Sequence, residues 1–221
     1  MKDVAAIVLA AGRSRRMGEF KPLLPFGDRT VIESCITNFL GARIEQIVVV
    51  TGHRGPDVRA RLRDYAVQFV TNPDPDSEMS KSIALGVEVL NPTAGAVLIS
   101  PADFPAVPSP IIEMLVAEWR ETGTRLIQPE HKQHGGHPVL VDLSFRAELL
   151  RLDAAGGLRS LLNHHRGECR RVPVSSPFVA RDMDTWEDYC ELHLAVFGRN
   201  PPGLPDQELS PATNGNPSKL I

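Results

Sequence analysis

Between Ala10 and Lys21 the chain reads A-A-G-R-S-R-R-M-G-E-F-K, which gathers three arginines and a lysine around two glycines. Guanidinium groups fork onto phosphate oxygens and an ammonium acts as a compact charge, so this is the chemistry of a polyphosphate site. Gly12 and Gly18 are expected to take φ > 0, letting successive backbone N–H groups converge on an anion. Leu9, Ala10, Ala11, Gly12, Ser14, Arg15, Arg16, Met17, Gly18 and Lys21 are therefore nucleotide-binding candidates. A solvated basic loop ahead of a surface helix would have the same composition. The glycine spacing fits neither G-x-G-x-x-G nor the G-K-[ST] of a Walker A loop.

Carboxylates come from two later stretches. Asp103 follows the apolar run Ala94 to Ser100 and stands between Pro101 and Pro105, which puts it just past the carboxyl end of a buried strand. Mg²⁺ takes one or two carboxylates together with substrate phosphates, so Asp103 suits a metal ligand. The second stretch holds Asp182, Asp184, Glu187 and Asp188. A helix start with Asp184 as N-cap, Glu187 completing the box and Asp188 favouring the dipole explains three of these and leaves Asp182 unexplained.

The elements that must position these groups alternate. Apolar runs at Val4–Leu9, Ile44–Val50, Ala66–Val70 and Ala94–Ser100 read as strands, and helical spacing follows at 30–40, 56–62, 77–90 and 111–120. Further strands are expected at Arg125–Gln128, Val139–Val141 and Arg170–Val174, with helices at 143–150, from 156 to 165, and after Asp184. The alternation predicts an α/β chain: a three-layer α/β/α domain over residues 1–197, Rossmann-like, its sheet mostly parallel with an antiparallel edge contributed after position 130. Ligands of such sheets bind at the carboxyl edge. Thr51 and Gly52, at the end of the second strand, and Asn72, after the third, join the candidates there. Ser80 and Ser82 open the next helix, as caps or beside a ligand. Residues 198–221 are rich in Pro, Asn and Ser, a composition expected to stay disordered.

Composition narrows the partners. Aromatics are 5% of the chain, too few for base-stacking platforms, and a net charge of −3 draws in neither nucleic acid nor an anionic membrane. The three cysteines form no C-x-x-C pair, and no apolar run approaches the ~20 residues of a membrane span. With Met1 leading straight into a strand, a cytoplasmic protein is expected. His131, His134 and His137 fall close together but match no zinc spacing. The sequence does not specify an oligomeric state.

The run L-A-A-G-R-S-R-R-M-G-E-F-K-P-L-L-P resembles the N-terminal motif of the molybdenum cofactor nucleotidyltransferases, most closely the molybdopterin cytidylyltransferase branch. The guanylyltransferase branch has Ala-Gly-Gly where this chain has Ala10-Ala11-Gly12, and lacks the Leu-Leu-Pro seen here at 23–25. The likeness continues in Met79-Ser80-Lys81-Ser82, similar to a segment beside the nucleotide, and in Asp103-Phe104-Pro105, similar to an Asp-x-Pro element. Gly136-His137-Pro138 resembles a Gly-His-Pro on the acceptor side, and Gly157-Leu158-Arg159 a Gly-x-Arg segment. Residues 182–188 resemble Asp-x-Asp-Thr-Pro-Glu-Asp, with Trp186 in place of proline, and the leading Asp182 of that pattern can reach the metal.

The resemblance implies a nucleotidyltransferase fold and Mg²⁺-dependent chemistry, with Mn²⁺ as a substitute. An NTP, CTP favoured, would give its nucleotidyl group to a phosphorylated pterin, and the product would pass to a molybdenum enzyme. Lys21, Arg15 and Asp103 would be catalytic, with Asp103 and Asp182 on the metal. GTP or a sugar phosphate acceptor is the alternative within the class. A non-catalytic carrier of the cofactor would keep a pocket without needing Lys21 and Asp103. A nicotinamide-dependent oxidoreductase would show G-x-G-x-x-G and an acid after the second strand, where Thr51-Gly52 stands.

Overall fold

The computed structural model describes residues 3–74 and 76–202, so the expected tail lies almost wholly outside the described residues. Ten strands are defined: β1 (Asp3–Ala10), β2 (Pro25–Phe26), β3 (Arg29–Thr30), β4 (Gln46–Thr51), β5 (Gln68–Thr71), β6 (Ala94–Pro101), β7 (Leu126–His131), β8 (His134–Gly135), β9 (Val139–Asp142) and β10 (Cys169–Pro173). The α-helices are α1 (Val31–Gly41), α2 (Gly55–Arg61), α3 (Met79–Glu88), α4 (Ser109–Thr122), α5 (Arg146–Leu149), α6 (Gly157–His164) and α7 (Trp186–Phe197).

Eight of the strands form one sheet, ordered β10-β7-β9-β6-β1-β4-β5 with β8 paired to β7. β1 lies inside it, parallel to β4 on one side and β6 on the other. Its residues from Val4 to Ala10 are buried on both faces, as an unbroken apolar run requires. The antiparallel element after position 130 is β9, and it lies inside the sheet between β6 and β7. Val139, Leu140 and Val141 are all buried, so this strand needs cover on both faces and on both sides. The short β8 adds the other antiparallel pairing, against the end of β7.

An apolar layer covers each sheet face. Ile32, Ile36, Ile112 and Leu115 from α1 and α4 fill one side; Ile83, Val87, Leu149 and Leu161 fill the other. A third cluster joins the β2–β3 hairpin to α7 through Phe26, Val31, Met183, Tyr189 and Leu192. The Tyr189 hydroxyl donates to the Pro25 carbonyl at 2.6 Å. That cluster matters for function because it returns the acidic 182–188 segment to the edge where β1 ends. Among the described residues no helix is long and apolar enough to cross a membrane.

Candidate active site

The basic loop leaves β1 at Ala10 and re-enters regular structure at Lys21. Of its glycines, Gly18 is left-handed (φ 75°) and Gly12 is not; Ser14 takes the second positive φ, at 52°. Ser14 then organises the loop. Its carbonyl accepts from the N–H of Met17 and Gly18, and its Oγ accepts from the Lys21 N–H at 3.1 Å. Met17 turns inward against the third apolar cluster and anchors the loop rather than facing a ligand.

Lys21 is the most enclosed cation of the loop, with a side chain 11% exposed. Its Nζ stands 2.8 Å from Asp184 Oδ1 and 3.3 Å from Asp103 Oδ2. The other oxygen of Asp184 accepts from Arg16 at 2.6 Å. Arg15 pairs with Asp76, which Arg13 also approaches at 3.5 Å.

Burial raises the Asp103 carboxyl above the usual range, against the opposing pull of Lys21. Burial and the neighbouring charge of Asp184 raise Asp182 likewise. Asp184, hydrogen-bonded to Lys21, is held below the usual range. Asp103 Oδ1 is buried and has no hydrogen-bond partner among the described residues. An orphaned carboxylate oxygen beside a second carboxylate is the kind of donor set that a hard cation satisfies.

The expected roles within 182–188 shift. Thr185, not Asp184, is the N-cap of α7, and Asp188, not Glu187, closes the capping box, accepting from the Thr185 N–H at 2.7 Å. The T-x-x-D spacing at 185–188 is as good a box as the one starting at Asp184, and it frees Asp184 for Lys21 and Arg16.

Two clefts open along this edge. The smaller, about 330 Å³, is walled by Leu9 to Gly12, Ser14, Lys21, Asn72, Ser82 and Asp103. Asn72 is its buried joint: its amide nitrogen donates to Ser77 and Ser82, and its oxygen accepts from the Asp74 N–H. Ser82 is thus fixed from across the cleft, and Ser80 is buried within the first turn of α3. Glu78 is the N-cap residue, so neither serine caps the helix.

The larger cleft, about 890 Å³, shares Leu9, Glu78, Met79 and Pro101 with the first and runs on to β7, β9 and α6. His137 lines it beside Gln128, Arg159, Arg166 and Arg171. Its ring packs on Phe104, and burial pushes the imidazole down to about 4, so it is neutral near pH 7. Gly136 and Pro138 back this wall instead of facing it. A Cβ on Gly136 would stand 2.2 Å from the Val179 carbonyl oxygen, so only glycine fits there.

The structure thus brings Leu9 to Gly12, Ser14, Lys21, Asn72, Ser82 and Asp103 to one cleft, with Asp182 coupled electrostatically to Asp103. Thr51 is not on its wall: the side chain is fully buried and its hydroxyl donates to Val70 O at 3.2 Å. Gly52 lies tight behind the Ala11 carbonyl. Arg15, Arg16, Met17 and Gly18 stand outside the wall, the two arginines reaching over carboxylates. The sequence reading did not single out Arg166, Arg171 or Gln128, whose wall forms only when α6 and the β7–β10 pair close on each other.

Residues 6–169 match the family profile of the MobA-like NTP transferase domain. The chain is similar to the molybdenum cofactor cytidylyltransferase of Escherichia coli (strain K12), 25% identical over 190 residues that span 86% of this chain and 95% of that protein. It is also similar to nicotine blue oxidoreductase of Paenarthrobacter nicotinovorans, 25% identical over 196 residues, 86% of this chain and 96% of that one. Its fold superposes on the crystal structure of Rv0371c from Mycobacterium tuberculosis H37Rv with a TM-score of 0.79 and 27% identity, covering 86% of this chain and 97% of that one.

Proposed function

The chain belongs to the MobA-like NTP transferase family, and from that footing we propose that it transfers a nucleotidyl group, CMP from CTP favoured, to the phosphate of molybdopterin or its molybdenum form. The observation that carries the reading is the Lys21 ammonium held between Asp103 and Asp184 at the wall of the small cleft, with Asp103 Oδ1 left unpartnered.

In the reaction an acceptor phosphate oxygen attacks the α-phosphorus, the bond from that phosphorus to the bridging oxygen breaks, and pyrophosphate leaves. Alignment and charge neutralisation are needed more than a protein nucleophile. Lys21 would face the charge that grows on the α-phosphoryl group. Arg15 and Arg16, with the 12–18 backbone, would take the β- and γ-phosphates once released from Asp76 and Asp184. Asp103 and Asp182 would hold Mg²⁺ or Mn²⁺, which when bound neutralises the triphosphate. The large cleft would seat the acceptor, with Arg159 and Arg166 offering cations and His137 a neutral polar edge. The choice of CTP rests on Ala11 and Leu23-Leu24-Pro25.

The likeness to an oxidoreductase, also at 25% identity, supports a second reading, in which the small cleft binds a redox nucleotide. The absence of G-x-G-x-x-G after β1 and of an acid after β4, where Thr51-Gly52 stands, favours the first. The test is pyrophosphate release from purified protein with Mg²⁺, molybdopterin and each of CTP, GTP, ATP and UTP. Release with CTP alone is expected. Release with GTP alone would move the base preference. In a parallel incubation with a reduced nicotinamide in place of the NTP, its consumption would favour the oxidoreductase.

A further inference from the structure

Every cation of the phosphate loop has a carboxylate partner. Arg13 and Arg15 pair with Asp76, Arg16 with Asp184, and Lys21 with Asp184 and Asp103. A loop built only to attract phosphate would leave those groups open to solvent.

Asp184 is the instructive partner. Its two oxygens bridge two different cations at 2.8 and 2.6 Å, the pattern of short charge-assisted bonds that a phosphate would make to the same pair. Its side chain has no part in the capping box of α7, which Thr185 and Asp188 form. Its side chain is 41% exposed and that of Arg16 77%, so water can replace their contact at little cost. Asp103, by contrast, is enclosed and keeps its hold on Lys21.

Building on the proposed reading of the loop, we infer that Asp184 is a displaceable counter-ion and a positioning residue. It occupies the place of a phosphate on Arg16 and Lys21 while no nucleotide is bound, yields them to the triphosphate, and retakes them as pyrophosphate leaves. The cations stay pre-aligned throughout. Nucleotide binding becomes an exchange of one anion for another, which lowers ground-state affinity and eases departure of the product. Both are useful where release limits turnover.

Asp184→Asn keeps the size and a carbonyl acceptor and removes the charge. Calorimetry in the presence of a chelator, with inorganic pyrophosphate, CTP and cytidine as ligands, separates the possibilities. Pyrophosphate and CTP should bind roughly three- to tenfold more tightly to the variant, cytidine should bind equally to both, and Asp184→Glu should stay within about twofold of wild type. In steady state the KM for CTP and the inhibition constant for pyrophosphate should fall together while kcat does not rise. Equal or weaker pyrophosphate binding by Asp184→Asn would overturn the inference. A wild-type protein that binds neither CTP nor pyrophosphate would instead sink the nucleotide reading on which it rests, so the two failures are distinguishable.

Discussion

The two clefts meet across Glu78 and Met79, which line both, and they handle charge in opposite ways. Around the small cleft each arginine or lysine of the loop has a carboxylate partner. In the large one, among the described residues, Arg159 and Arg166 make neither a hydrogen bond nor an ion pair, and only Arg171 is tied, to Glu130 at 2.8 Å. On the proposed function, the difference follows from what each would do. A triphosphate would bring enough charge to displace resident carboxylates and would later depart as pyrophosphate. An acceptor would carry less charge, and open guanidinium groups would attract it without an exchange.

The largest effect should come from the enclosed end of this contrast. Lys21→Ala should lower kcat by ~100-fold or more if, as proposed, the ammonium faces charge that develops only in the transition state. Steady-state pyrophosphate release measures it, and activity within a few-fold of wild type would remove Lys21 from the chemistry. At the open end, replacing Arg159 and Arg166 together by alanine should raise the acceptor KM by roughly tenfold and leave the KM for the nucleotide unchanged. If both constants rise together, the clefts are not separate subsites and the comparison collapses.

His137 sharpens the contrast from the uncharged wall. Its folded-state pKa is depressed to about 4 from 6.5 by burial, so between those values the unfolded chain binds the proton and the folded chain does not. Stability from this residue is therefore intact above pH 6.5 and falls as the pH drops toward 4, by up to roughly 3 kcal/mol. The raised carboxyls of Asp103 and Asp182 oppose that slope, so the measurement is a difference. Urea unfolding of wild type and His137→Gln at pH 7 and pH 4.5 should show the wild type losing more stability on acidification. Parallel slopes would mean that the imidazole is not held neutral.

Where the sequence was legible, one dominant local signal was at work. β1, β4 and β6 announce themselves as unbroken apolar runs, and Asp103 is placed by the end of one of them. Thr30 and Glu33 form the capping box that opens α1, at the start of the helical spacing read from residue 30. What escaped depended on contacts distant in sequence. β9 enters the sheet interior because β7 pairs with its far side, and no property of Val139–Val141 alone says so. Arg16 and Asp184 are 168 residues apart and meet only because α7 packs on the β2–β3 hairpin. The role of Asp184 was hidden for a different reason: two overlapping capping boxes fit the same residues, and the helix start alone cannot choose between them.

The smallest effect belongs to Asp76, which repeats the geometry of Asp184 in a more open setting. It too holds two loop cations, Arg13 and Arg15, yet its side chain is 60% exposed and that of Arg15 is 69% exposed. Ion pairs so open to water are screened and contribute little, so the exchange of Asp76 for phosphate should be nearly neutral. Asp76→Asn should therefore change pyrophosphate affinity by about twofold or less, against the larger gain expected for Asp184→Asn, and the gap should narrow as salt is raised. Equal effects from the two substitutions would show that exposure does not grade these contacts. The distinctive property would then be the number of cations a carboxylate bridges, which both share, and not the partly enclosed Lys21, which Asp184 reaches and Asp76 does not.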